Sequence, residues 1–141
     1  LDDFGLIAAI EWQAREFERH SRIRCRTSLP VRTTRLLPKE QTTAVFRILK
    51  ESLTNVARHA HASNVIVKLA IQRDVLILSV QDDGKGIGRR QMTDARSLGL
   101  LGMRERVLPW GGRLDIVGVR QKGTTVTLRI PVVPSTEDHV A

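Results

Sequence analysis

One stretch restricts the possible folds more than any other. The apolar run Val75-Leu76-Ile77-Leu78-Ser79-Val80 is followed, after Gln81, by Asp82-Asp83-Gly84-Lys85-Gly86-Ile87. Alternation along a strand puts Leu76, Leu78 and Val80 on one face, and Asp82 continues that face. A carboxylate is thus expected at the end of a core strand, pointing toward the core. An unpaired buried charge is costly, so Asp82 needs hydrogen-bond donors. Gly84 and Gly86 allow the backbone to turn sharply and approach a ligand closely. Taken alone, the stretch also fits a plain strand ending in an Asp-Gly turn.

The flanking chain supplies partners for this strand. Val65 to Ile71 is β-branched and reads as a strand, turned by Gln72-Arg73-Asp74 into a hairpin with Val75–Gln81. Arg113–Val119 and Thr124–Pro131 form two more strands, and Thr124 shares a face with Val126, Leu128 and Ile130. Ile23–Leu29 reads as an edge strand ended by Pro30. A first helix, capped by Asp2 or Asp3, runs to about Ser21 with Leu6, Ile10, Ala14 and Phe17 on one stripe. Pro38 opens a second helix reaching about Ala60, with Val45, Ile48, Leu49, Leu53 and Val56 toward the core. Glu51, Asn55, Arg58 and His59 lie on one flank of that stripe, so Glu51 and Asn55 project into one space. A third helix is expected from Met103 to about Trp110, closed by Gly111-Gly112. Between the Asp-Gly motif and that helix, Gly88 to Leu98 is polar and aperiodic and reads as a mobile surface loop. The chain divides into a helix at 1–22, a domain at 23–133 and a tail at 134–141.

With 141 residues, 41% hydrophobic and 27% charged, the chain suits one globular domain. No apolar stretch is long enough to cross a bilayer, and no secretory signal is visible. Leu1 stands where an initiator Met is absent, so a fragment of a longer protein is expected. Cys25 is the only cysteine, which fits a reducing compartment. The net charge of +8 admits nucleic acid, acidic lipid, nucleotide or acidic protein as partners. The arginines are scattered and not interleaved with aromatics, so a solvated basic face outweighs a nucleic-acid surface, and no nucleic-acid partner is expected.

Separate stretches then suggest one pocket. Asp82 offers an acceptor in an apolar wall, Thr124 a hydroxyl, Glu51 and Asn55 oxygens from a helix. Gly84, Gly86, Gly99 and Gly102 offer backbone that can approach a ligand, and the Gly99–Gly102 segment opens a helix, where free N–H groups attract phosphate. An adenine amine suits a buried carboxylate. Magnesium keeps several waters, so one amide oxygen such as that of Asn55 can suffice to hold it.

Glu51-Ser52-Leu53-Thr54-Asn55-Val56-Ala57-Arg58-His59-Ala60 resembles the asparagine box of the catalytic ATP-binding domain of sensor histidine kinases, a group related to gyrase, the heat-shock ninety chaperone and the mismatch-repair ATPases. Asp82-Asp83-Gly84-Lys85-Gly86-Ile87 resembles its first glycine box and Gly99-Leu100-Leu101-Gly102-Met103-Arg104-Glu105-Arg106 its second. Gly123-Thr124-Thr125 matches the closing Gly-Thr element. The Gly-Met-Arg-Glu-Arg wording, the short lid without a phenylalanine box, and the opening Leu1-Asp2-Asp3-Phe4-Gly5-Leu6 resemble the nitrate-sensor-like subfamily. Leu98 departs from the small or polar residue common before the second box.

The resemblance implies a Bergerat-type two-layer α/β sandwich: a mixed, mainly antiparallel sheet packed on three helices. It implies ATP and Mg2+ as ligands. Asp82 would bind the adenine amine, Asn55 the metal, and Glu51 would polarise the reacting group. His59, Gly84, Gly86, Ile87, Gly99, Leu100, Gly102, Met103 and Thr124 would complete the nucleotide site, with Gly88–Leu98 as lid. It also implies a cytoplasmic setting, a homodimeric parent protein (anchored in the inner membrane or not) and a response regulator as partner. His20, His59, His61 and His139 lack the acidic helical setting of the phosphoacceptor. The accepting histidine is therefore expected on upstream dimerisation helices, and this chain alone is not expected to phosphorylate itself. Three other readings compete: a regulatory nucleotide-binding module without phosphotransfer, a basic nucleic-acid-binding domain, and an ATP hydrolase using Glu51.

Overall fold

Burial along the strands follows the alternation of the sequence. The computed structural model describes residues 3–30, 37–86 and 99–132. Within it, β1 (Arg24–Ser28), β2 (Asn64–Gln72), β3 (Val75–Asp82), β4 (Arg113–Val119) and β5 (Gly123–Pro131) form one sheet in the order β1-β2-β3-β5-β4. β1 runs parallel to β2, and every other pair is antiparallel. Register aligns the apolar residues in rows: Leu78 lies opposite Leu69 and Leu128, and Val80 opposite Val67 and Val126. All six are buried, whereas Lys68 and Arg129, on the other face, are exposed.

Among the described residues, three α-helices cover the buried face: α1 (Asp3–Ser21), α2 (Lys39–Asn55) and α3 (Leu100–Val107). They contribute Leu6, Ile10 and Ala14, then Val45, Ile48, Leu49 and Leu53, then Met103 and Val107, to one core cluster. The result is the expected two-layer sandwich on a mixed sheet. α1 also braces the edge strand. The Glu18 carboxylate accepts the Cys25 N–H at 2.9 Å, and Arg15 Nη2 donates to the Cys25 carbonyl at 2.6 Å. Edge strands carry unpaired backbone groups that invite foreign pairing, and here side chains of α1 occupy two of them.

Three local features depart from the reading of the sequence. The α-helical part of α2 stops at Asn55, and Val56–Ala60 forms a π-helical turn ended by His61 with φ 52°. The last carbonyls of a helix have no helical partners, and that of Ala60 takes the Lys85 N–H at 2.7 Å. α3 starts at Leu100, before the expected Met103, because Gly99 with φ 68° caps it. It ends at Val107, where Pro109, having no N–H, shifts the chain into a 3-10 turn over Leu108–Trp110. The β2–β3 hairpin turns on Arg73 and Asp74 alone, both with positive φ (50° and 62°), the geometry that matches strand twist. Ile87, the loop expected at 88–98 and the tail expected at 134–141 lie outside the described residues.

Leu78 is 1% exposed at the centre of the sheet. Leu78→Ala should lower unfolding free energy by about 2–5 kcal/mol in urea titrations. Ile77→Ala, on the open face, should cost far less. Equal costs would mean that the buried face is misassigned.

Candidate functional site

Asp82 is the last residue of β3 and only 6% exposed. Its Oδ1 accepts the Gly84 N–H at 2.8 Å, and the backbone N–H of Thr124 also donates to the carboxylate. Burial pushes the acid above its ordinary range, the two N–H donors pull it back, and the neighbouring Asp83 charge pushes it up again. Burial wins, so the net shift is upward. Among the described residues no lysine or arginine pairs with Asp82. Among the described residues, this near-buried carboxylate rests on two amide donors.

Glycines make this arrangement possible by close backbone approach. A Cβ on Gly123, whose φ is 118°, would overlap the Asp82 carbonyl oxygen. Only glycine lets β5 begin there, and that start brings Thr124 to Asp82. A Cβ on Gly84 would overlap the Ala60 carbonyl, and one on Gly86 (φ 82°) the Val119 carbonyl. The Gln121 N–H donates to the Lys85 carbonyl at 2.7 Å. The turn after β3 is therefore held between the π-turn that follows Asn55 and the β4–β5 turn.

Glu51 and Asn55 sit four residues apart on α2, both half-buried. The Glu51 carboxylate lies 3.7 Å from the Arg106 guanidinium of α3. A Cβ on Gly99 would come to 2.5 Å from Glu51 Oε2, so glycine at the helix cap leaves room for this carboxylate. Gly102 faces open space, with nothing within 4 Å of where a Cβ would be. Met103 instead is fully buried, its sulfur 3.9 Å from Ser52 Oγ, and its side chain joins α3 to α2 in the core. Thr124 is also buried, at 6% exposure. Of the remaining expected residues, His59 falls in the π-turn and Leu100 opens α3. Ile87 lies outside the described residues. Asp82, Thr124, Gly84 and Gly86 thus form one group, Glu51 and Gly99 another, and α2 with its π-turn connects them.

Two residues escaped the sequence reading of roles. Arg106 pairs with Glu51 across two helices, and separation along the chain leaves no local signal for it. Asp83 accepts the N–H groups of Ser63 and Asn64 on Oδ1, at 2.8 and 2.9 Å, and Asn64 Nδ2 on Oδ2 at 2.9 Å. These bonds, led by the Asn64 side chain, hold its acid below the ordinary carboxylate range. Strand alternation turns Asp83 away from the core, which reads as mere solvation. Among the described residues no three or more His, Cys, Asp or Glu side chains gather as a metal cage. The half-buried Asn55 supplies an amide oxygen of the kind magnesium accepts.

Residues 40–134 match the family model of the histidine kinase-, DNA gyrase B- and HSP90-like ATPases. The chain belongs to this family. It is 35% identical over 132 residues to the signal transduction histidine-protein kinase/phosphatase DegS of Brevibacillus brevis, covering 94% of this chain and 34% of DegS. Over 90 residues it is 42% identical to the sensor histidine kinase LiaS of Bacillus subtilis, covering 64% of this chain and 25% of LiaS. The ATPase-family chain therefore spans a quarter to a third of the length of these curated relatives. The fold matches the histidine kinase domain of the Erythrobacter litoralis EL346 blue-light activated histidine kinase with a TM-score of 0.77 at 23% identity, over 90% of this chain and 61% of that one.

The acids of Asp82 and Asp83 are shifted in opposite directions. Asp82 has a folded pKa above its unfolded one, so its contribution to stability is full below the unfolded value and lost as pH rises through the folded value. Asp83 has a depressed folded pKa, so its contribution is present above the unfolded value and lost as pH falls through the folded one. Asp82→Asn should therefore raise the thermal midpoint of the nucleotide-free domain at neutral pH, with the gain shrinking below about pH 4. A lowered midpoint at neutral pH would contradict this.

Proposed function

We propose that the chain is the ATP-binding catalytic domain of a two-component sensor histidine kinase. It would transfer the γ-phosphoryl group of ATP to a histidine on an upstream dimerisation domain. The observation that carries the reading is Asp82: a near-buried carboxylate, held by two backbone N–H groups, without a cationic partner among the described residues. Such a group retains acceptor capacity for a neutral donor of fixed shape, and the adenine amine is one. Family membership and the names of the similar kinases support the same reading.

Each residue then has a task. Asp82 accepts the adenine N6–H, with Thr124 beside it. The Asn55 amide oxygen would hold Mg2+, which neutralises charge on the phosphates when bound. Backbone N–H groups at the start of α3, near Gly99 and Gly102, face the phosphates. Glu51 accepts the proton of the attacking imidazole, as that nitrogen bonds to the γ-phosphorus and the bond to the bridging oxygen of ADP breaks. Arg106 keeps the Glu51 carboxylate in place. The parent protein is proposed to be a homodimer that passes the phosphoryl group to a response regulator. No described helix is long and apolar enough to cross a membrane, and a cytoplasmic position is proposed for the domain.

Asp82→Asn should weaken ATP binding by about 10–100-fold, the worth of a hydrogen bond to a charged group, in calorimetric titrations. Wild-type affinity in that variant would refute the pocket. Asn55→Ala should lose affinity with magnesium present and keep it in a chelator; equal loss in both would remove Asn55 from the metal. Joined to its upstream helices, the domain should label itself from γ-labelled ATP. Glu51→Gln should slow labelling by about 10²–10⁴-fold while still binding ATP. Binding without labelling in the wild type would favour a regulatory module.

A further inference from the structure

Asp83 stands beside the proposed adenine acid yet faces away from it, and its carboxylate is fully engaged. Oδ1 takes the N–H groups of Ser63 and Asn64, Oδ2 takes the Asn64 side chain, and the Asp83 N–H donates to the Asn64 carbonyl at 3.2 Å. Ser63 and Asn64 lie just past the π-turn that continues α2 beyond Asn55. One residue further on, Gly84 packs its α-carbon against the Ala60 carbonyl, and that same carbonyl accepts the Lys85 N–H at 2.7 Å. The turn bearing Asp82 and the segment that ends the helix bearing Asn55 are thus joined through the Asp83 carboxylate and the carbonyls of Asn64 and Ala60.

We propose that Asp83 is a positioning residue that fixes the adenine-binding end of the site relative to the cation- and phosphate-binding end. The inference rests on the ATP-site reading above. MgATP touches both ends at once and gains affinity from each only if their spacing is held. Adenosine touches one end, and its binding does not depend on that spacing. Loss of the clamp therefore penalises MgATP and spares adenosine. A residue that served stability alone would weaken both ligands in proportion, through the folded fraction.

The test compares Asp83→Ala, Asp83→Asn and Asn64→Ala in the full chain. MgATP affinity is read by calorimetry, adenosine affinity by chemical-shift titration and stability by thermal melting. Asp83→Ala removes all three acceptor bonds and should weaken MgATP about tenfold, which equals 1.4 kcal/mol, with adenosine changed less than about twofold. Asp83→Asn keeps an oxygen for both backbone N–H groups and should restore MgATP affinity to within about threefold of wild type. Asn64→Ala loses only the side-chain bond and should show the same selectivity at smaller size, which keeps the test decisive if Asp83→Ala does not fold. Unchanged MgATP affinity in Asp83→Ala, equal weakening of both ligands, or an asparagine variant as weak as the alanine one would each overturn the proposal. If wild type bound no ATP, or Asp82→Asn bound it normally, the ATP-site reading itself would fall instead.

Discussion

A carboxylate in the core layer, without a counter-cation among the described residues, is the constraint on which this structure turns. Taking Asp82 out of water costs free energy, and the two backbone N–H groups that meet it offset only part of that cost, since its acid remains shifted upward. A protein built for stability alone would place an apolar residue there, in line with Leu76, Leu78 and Val80. Retaining the charge sets the surroundings. β5 must begin at a glycine so that the Thr124 N–H can reach the carboxylate, and the chain after β3 must turn at once so that the Gly84 N–H can do the same. A strained or costly group at a site with a matching ligand is the usual exchange of stability for function.

The rest of the site follows from close backbone contact. Three glycines, at 84, 86 and 123, sit where a Cβ would collide with a carbonyl oxygen of a neighbouring segment. Side chains at those points would push the β3 turn away from both the π-turn and the β4–β5 turn. Gly99 does the same service for a side chain: the Glu51 carboxylate fills the space its missing Cβ leaves. The glycine boxes of the family thus act here as spacing devices, and the polar groups they bring together come from elements far apart in the chain.

Much of this was legible in advance because periodicity survives folding. The face Leu76, Leu78, Val80, Asp82 is buried as alternation demands, and so is Thr124 with Val126, Leu128 and Ile130. The stripe on α2 packs as its helical spacing requires. What escaped depends on contacts that no local pattern encodes. The π-turn after Asn55 ends on a carbonyl, that of Ala60, which meets the Lys85 N–H, a tertiary contact. The parallel placement of β1 beside β2 is a matter of topology, which alternation does not address. The Met103 side chain packs in the core beside Ser52 of α2, a long-range contact. The role of Asp83 left no local signal for the opposite reason: alternation turns it away from the core, and its partners Ser63 and Asn64 come from the entry to β2.

The acid–base behaviour of Asp82 is the most direct check on its role. Its carboxyl carbon can be followed by NMR across pH in the free domain and again with saturating nucleotide. The account predicts a pKa above the ordinary carboxylate value in the free domain and a fall on nucleotide binding, because a donor to the charged form favours it. A pKa already depressed without nucleotide, or one that nucleotide leaves unmoved, would contradict it.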